Sequence, residues 1–144
     1  MDDHPNLSPV YAHSIKNAPA ERWQTMRDHA MAVAELAAER GMKFGASELA
    51  RVAGLLHDVG KYSDSFQRKL KGEALRVDHS TAGARIAAER YAQLGRLLAY
   101  VIAGHHAGLA NGTGHVMPIT KRTLAISGSS ILPRRLQFLL YRPL

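Results

Sequence analysis

The sequence contains no cysteine. This absence excludes disulfide bonds, and it also excludes metal sites that are built from thiolates. Any metal ion that this chain binds must therefore be held by histidine and carboxylate side chains. The absence of cysteine also fits a reducing compartment, so a cytoplasmic location is expected.

Long apolar runs are absent as well. The longest apolar stretch, residues 97–103, is far too short to cross a bilayer, which takes about 20 residues. The first residues include acids and prolines where a signal peptide would carry lysine and then an apolar run. We therefore expect a soluble protein, and 144 residues with 46% hydrophobic side chains suit a single domain with one core.

Acidic residues are missing from the last part of the chain. Residues 1–89 carry 12 Lys and Arg and 12 Asp and Glu, whereas residues 90–144 carry seven Lys and Arg and no acid. The formal net charge of +7 therefore lies entirely after Glu89. Such a segment attracts a polyanion such as nucleic acid, and a solvated basic surface explains the same charge equally well.

Helical periodicity runs through most of the chain, and no convincing strand is visible. The spacing of the apolar residues predicts an all-α fold, a compact helical bundle. The predicted helices cover about residues 19–40, 47–60, 64–71, 81–93 and 96–103. Ser47 is predicted to be the N-cap of the second helix. Because the pattern weakens near the end, residues 1–115 are assigned to the core domain and residues 116–144 to a basic, atypical C-terminal tail.

The most informative motif is Leu-Leu-His-Asp at residues 55–58, in which His57 and Asp58 lie side by side ahead of Gly60 and Lys61. Four further histidines accompany this pair: His29, His79, His105 and His106. Successive members of the series 29, 57, 79 and 105 are separated by 28, 22 and 26 residues, which is about one helix and one loop each time. A helical bundle could therefore bring them to one centre.

These donors predict a metal-dependent hydrolase that holds one or two divalent transition-metal ions, manganese, nickel, iron or cobalt, with magnesium also compatible. We expect Asp58 to bridge two ions because a carboxylate has two oxygens. The other predicted ligands are His29 and His57 for one ion, and His79, His105 and His106 for the second. A metal-bound water would then attack a phosphoryl group.

Lys61 has two interpretations, because it could hold the phosphate or the attacking water, or it could simply stabilise the end of a helix. The remaining histidines, His4, His13 and His115, are interpreted as ordinary core or surface residues, since an isolated histidine is more often one of these than a ligand.

These motifs resemble those of the HD phosphohydrolase superfamily and, within it, the CRISPR-associated HD nuclease domain, the nuclease half of the type I interference nuclease-helicase. The broader resemblance rests on a His, the His-Asp pair and later histidines. The narrower one rests on the strings YAHS, GLLHDVGKYSDSFQ, VDHSTAGA and AYVIAGHHAGL, which fall within residues 11–111. It implies an all-helical fold, a pair of transition-metal ions and cleavage of single-stranded DNA. The implied partners are a helicase subunit or domain and an RNA-guided surveillance complex, with no membrane.

The resemblance assigns the metal-ligand positions of the family to six residues: His29, His57, Asp58, His79, His105 and His106. Asp58 and Lys61 are the expected catalytic residues. The family also has an aspartate well downstream of the double histidine that closes the first metal site, and no acid follows Glu89 here. The resemblance therefore implies a C-terminally incomplete domain. We expect the ion on the His29 side to be weakly held and activity to be low, unless another carboxylate such as Asp78 replaces the missing ligand.

Two other functions use the same residues. A different HD enzyme would hydrolyse a nucleotide or a cyclic dinucleotide with the same core, although the adjacent His105 and His106 belong to the nuclease type. An incomplete domain could also bind DNA or a helicase partner without catalysis, which the missing aspartate favours.

Overall fold

The computed structural model of the chain describes residues 8–106, so the tail assigned to residues 116–144 lies outside the described residues. The described part contains two short strands, β1 (Tyr11–His13) and β2 (Gln24–Thr25). Its helices are α1 (Met26–Met42), α2 (Ser47–Leu56), α3 (Asp64–Leu70), α4 (Ser80–Arg90) and α5 (Ala92–Gly104). Two 3₁₀ turns cover Ala20–Arg22 and Val59–Tyr62. The predicted all-α fold class is confirmed, and no helix within residues 8–106 is long and apolar enough to cross a membrane.

The N-terminal region differs from the prediction of one helix over residues 19–40 with no strand. Trp23 is extended, with φ −75° and ψ 151°, and its indole N–H donates to the carbonyl oxygen of Ala18. The helix α1 begins only at Met26, because the hydroxyl of Thr25 caps it by accepting from the N–H of Asp28. The residues ahead of this cap form β2, which pairs antiparallel with β1. Strands of three and two residues are too short to show alternation in the sequence.

The prediction for the second helix is wrong at both ends. Ser47 is the first residue of α2 and not its N-cap, because its hydroxyl donates across the loop to the carbonyl oxygen of Ala38. The helix ends at Leu56 and not near Gly60. His57 and Asp58 consequently lie just beyond the helix, in the connection to the 3₁₀ turn at Val59–Tyr62.

The last two helices differ from the predicted ranges of 81–93 and 96–103. The helix α4 ends three residues earlier than predicted, and α5 begins four residues earlier. Tyr91 separates them, because α4 ends at Arg90 and α5 begins at Ala92, a non-glycine residue with φ +44°. His79 is the N-cap residue of α4, and His105 is the C-cap residue of α5, so each histidine lies at the end of a helix.

The core lies where α2, α4 and α5 pack together. Its buried residues are Leu56, Val59, Ala84, Ile86, Ala87, Leu98, Ala99 and Ile102. The helix α1 packs on α2 through small residues, since a Cβ at Gly54 would lie 2.7 Å from Cα of Ala34. Small contact residues bring helix axes close together, so α1 and α2 form a rigid pair that supports the following His-Asp segment.

Two glycines set the position of α4 relative to that segment. A Cβ at Gly60 would overlap the backbone of His79, and a Cβ at Gly83 would overlap the carbonyl oxygen of Leu56. Backbone contacts this close require glycine because any side chain would force the segments apart. His79 is thereby held directly against the 3₁₀ turn that follows His57 and Asp58.

Candidate metal centre

Every histidine within residues 8–106 contributes to one cluster around Asp58. The cluster is assembled from the strand β1, the first turn of α1, the residues that follow α2, the start of α4 and the end of α5. The members are His13, His29, His57, Asp58, His79, His105 and His106. All predicted site residues other than Lys61 are in this set, and Lys61 lies beside it. Their roles as metal ligands remain a prediction.

One oxygen of Asp58 faces the histidines of α1 and α2. Its Oδ2 atom lies 3.1 Å from Nε2 of His29 and 3.2 Å from Nε2 of His57. The two imidazole nitrogens are themselves 3.2 Å apart. Three donor atoms therefore form a nearly equilateral triangle.

The other oxygen of Asp58 faces the histidines of α4 and α5. Its Oδ1 atom lies 3.5 Å from Nε2 of His79 and 3.4 Å from Nε2 of His105. Nε2 of His106 lies 2.7 Å from Nε2 of His79. Asp58 thus stands between two groups of imidazoles, in the division that the sequence predicted, with one carboxylate oxygen directed to each group.

Backbone carbonyls orient two of these rings. Nδ1 of His57 lies 2.7 Å from the carbonyl oxygen of Gly54, and Nδ1 of His105 lies 2.5 Å from that of Ile102. A carbonyl oxygen can only accept, so Nδ1 of each ring carries a proton, and Nε2 is the nitrogen that each ring directs to Asp58. Metal-binding histidines are commonly oriented by such a hydrogen bond to a carbonyl.

The geometry fits divalent ions. With metal–ligand bonds of about 2.1 Å, adjacent ligand atoms lie roughly 3.0 Å apart in an octahedral site and 3.4 Å apart in a tetrahedral one, and the distances around Asp58 are of this size. Oδ1 of Asp58, the oxygen that faces His79 and His105, is also buried with no hydrogen-bond partner from the described chain. Buried polar atoms are nearly always satisfied, and a bound ion is one accepted explanation for an exception.

Most of the rings are held in the neutral form that a ligand needs. Burial lowers the pKa values of His29 and His79 more than the charge of Asp58 raises them. The pKa of His106 is lowered mainly by burial and next by the charge of His105. The pKa of His13 is lowered mainly by burial and next by the charge of Lys61. Since metal ions bind only unprotonated imidazole, these shifts favour ion binding.

Asp58, His57 and Lys61 form a charged unit at the centre. Burial disfavours ionisation of Asp58, but hydrogen bonds from His57 and Lys61 outweigh it and hold the pKa of Asp58 well below its ordinary value. Nζ of Lys61 lies 2.8 Å from Oδ2, and the lysine is only 5% exposed. For His57, burial lowers the pKa, but hydrogen bonds with Asp58 and Gly54 outweigh it, so that its pKa is raised.

The raised pKa of His57 predicts proton release when a metal ion binds. As the pH falls through this raised pKa, His57 becomes protonated, and an ion must displace that proton to reach Nε2. We expect metal affinity to decrease below this pH, and isothermal titration calorimetry in buffers of different ionisation enthalpy should detect about one proton released per ion at His57. Metal binding that releases no proton at any pH between 5 and 7 would contradict this assignment.

His13 is the site residue that the sequence interpretation missed, since it was set aside as an isolated histidine. Its ring lies 4.9 Å from the ring of His29, and its Nε2 lies 3.5 Å from Nζ of Lys61. The string YAHS was the available signal, but nothing in the spacing connects residue 13 to a helix. Asp78, considered as a replacement carboxylate, instead caps α4, because its Oδ1 accepts hydrogen bonds from Ser80 and Thr81.

Comparison with known proteins agrees with this centre at the level of the family. The family model described as HD domain matches residues 26–129, which is well over half of the chain. A search of curated proteins finds no match to this chain. The HD domain implies a metal-dependent phosphohydrolase with divalent ions, and the cluster around Asp58 could hold such an ion. The match begins at the first residue of α1 and includes the His-Asp pair with His29, His79, His105 and His106, so the chain belongs to the HD domain family.

Proposed function

We propose that this HD domain is a metal-dependent nuclease that cleaves phosphodiester bonds in single-stranded DNA, in the manner of the nuclease half of type I CRISPR interference. The observation that carries the proposal is the position of Asp58 between two groups of imidazoles, with one oxygen directed to each. When bound at such a site, a pair of divalent ions supplies a hydroxide nucleophile and stabilises the charge of the attacked phosphoryl group.

The protein residues provide positioning and access. Lys61 holds one oxygen of Asp58 in a buried ion pair and so fixes the carboxylate that both groups share. The side chains of His29, His57 and His79 are 14%, 16% and 17% exposed, so the centre is partly open to solvent. His106 is exposed at its edge. A phosphodiester in a flexible strand could reach this surface. The catalytic role predicted for Lys61 remains part of the proposal.

Charge supports a polyanionic substrate. Asp58 is the sole carboxylate in the two potential ion-binding groups within residues 8–106, and Lys61 already balances it. Bound divalent ions would therefore leave the centre strongly positive, and such a site favours phosphate or another anion. The acid-free segment after Glu89 adds positive charge in the sequence. The adjacent His105 and His106 and the strings quoted above favour the nuclease type within the family, with a helicase and an RNA-guided complex as the proposed partners.

The test is a comparison of substrates with one preparation loaded with manganese or nickel. We expect nicking of circular single-stranded DNA, and no comparable hydrolysis of mononucleotides or cyclic dinucleotides. Asp58→Asn should abolish the nicking, whereas Asp64→Asn, which changes an exposed carboxylate outside the cluster, should leave it unchanged.

Two outcomes would overturn the proposal. Preferential hydrolysis of a nucleotide would assign the same centre to a different HD activity. Binding of single-stranded DNA with full metal content but no hydrolysis of any substrate would make the chain a non-catalytic binding domain.

A further inference from the structure

The strand β1 brings a histidine to the centre from outside the region matched by the family model, which begins at residue 26. We propose that His13 is a metal ligand that closes the ion site on the His29 side of Asp58, where residues 8–106 supply no second carboxylate. The proposal rests on metal binding by the HD domain and does not depend on which substrate is hydrolysed.

The position of His13 is fixed by several contacts of its strand. The side-chain amide of Gln67 accepts from the N–H of Tyr11 and donates to its carbonyl oxygen. The same amide also donates to the carbonyl oxygen of Lys61, which ties β1 to the turn beside Asp58. Ala12 is 1% exposed, and Tyr11 packs edge-on against Trp23. The two residues that precede His13 in β1 are therefore held firmly against the rest of the fold.

The ring of His13 presents a lone pair to the centre. Nε2 of His13 lies 3.5 Å from Nζ of Lys61, a group that can only donate. That nitrogen must therefore act as the acceptor, and it carries no proton in this arrangement. An unprotonated imidazole nitrogen is the form that binds a metal ion.

The distances allow His13 to share an ion with its neighbours. His13, His29 and Asp58 each offer a ligand atom, and these atoms lie within 4.8 Å of one another. Ligand atoms on opposite sides of an ion lie about 4.2 Å apart when the bonds are about 2.1 Å long. These three residues are therefore close enough to share one ion after a small adjustment of the exposed His13 ring, and Nε2 of His57 lies beside them, 3.2 Å from that of His29.

The chemistry explains what this ligand would change. A site closed by a carboxylate carries an additional negative charge, whereas a site closed by His13 stays more positive and holds its ion through nitrogen. Nitrogen ligands suit nickel, cobalt and zinc better than magnesium. The ion on the His29 side would then be retained, contrary to the weak binding expected from the sequence.

Zinc titration followed by NMR of the histidine ring nitrogens tests the proposal directly, because zinc is diamagnetic and coordination moves the ¹⁵N shift of the bound nitrogen. At saturation, one ring nitrogen of His13 should show the shift of a coordinated imidazole together with His29 and His57. A free neutral His13 ring in the saturated protein would overturn the proposal, even if the other histidines are coordinated.

Calorimetry with zinc provides the second measurement. His13→Gln should weaken one of the two binding steps by about 100-fold, since loss of a ligand costs at least as much as the 10 to 100-fold typical of residues that only orient ligands. Ser14→Ala, an exposed neighbour, should change neither step. Unchanged zinc affinity in a folded His13→Gln variant would also overturn the proposal. Neither result depends on hydrolysis, so failure here is distinct from failure of the nuclease assignment.

Discussion

Replacing Asp58 should remove both metal ions, because its two oxygens face the two groups of imidazoles. Asp58→Asn keeps the shape and one acceptor oxygen but loses the charge that attracts the ions, and we expect the affinity of both sites to fall by about 100-fold or more. Metal analysis of the purified variant and calorimetric titration measure this effect. A variant that retains two equivalents of metal would contradict the bridging role.

Asparagine is preferable to alanine for this test. Alanine would leave the buried Lys61 without its carboxylate partner, and removal of one partner of a buried ion pair costs about 3–5 kcal/mol. An unfolded alanine variant would lose metal for a trivial reason. His57→Ala is the matched comparison, because this ring contacts only Oδ2 and should affect one ion more than the other. Asp64→Asn controls for loss of a carboxylate, and circular dichroism confirms that each variant is folded.

The centre should bind nickel and cobalt in strong preference to magnesium. The donors around the centre are imidazole nitrogens and the single carboxylate of Asp58, whereas magnesium requires oxygen ligands and gives up its water reluctantly. Affinity at nitrogen sites rises from manganese through iron and cobalt to nickel. We therefore expect nickel and cobalt to bind at least about 1,000-fold more tightly than magnesium.

Competition dialysis of the nickel-loaded protein against millimolar magnesium measures this preference. Nickel should remain bound, and magnesium alone should support little hydrolysis. Magnesium that displaces nickel at millimolar concentration would show that an oxygen-rich site exists elsewhere in the chain. Because Asp58 is the sole carboxylate in the two groups within residues 8–106, such a result would require oxygen ligands from the rest of the chain.

Much of this centre could be predicted because its histidines lie mainly at helix ends or within helices. His29, His79 and His105 occur about one helix and one loop apart from the His-Asp pair, so periodicity alone placed each on a separate element. Asp58 could be named as the bridging residue because a carboxylate is the donor type that has two oxygens. Their proximity in the structure agrees with that reasoning.

The errors have a common physical origin in contacts between residues distant in sequence. The position of His13 depends on the bonds between Gln67 and Tyr11, which are 56 residues apart in the chain, and no local pattern encodes that contact. Ser47 has the composition of an N-cap, but a partner nine residues earlier takes its hydroxyl. Trp23 fits a helical spacing, but its indole bonds to Ala18 and the chain stays extended. Periodicity reports which faces are buried, and it does not report such individual bonds.

The assembly of the centre from five separate segments has a consequence for a chain without cysteine. Two ions that share Asp58, one held with residues of β1 and α1 and the other with residues of α4 and α5, would act together as a cross-link between the two ends of the described chain, as a disulfide does elsewhere. Such a link exists only in the folded state, so its contribution to stability grows with the free metal concentration and disappears when a chelator removes the ions. The concentration of free metal in the cell would then affect the stability of the helical bundle as well as its rate of hydrolysis.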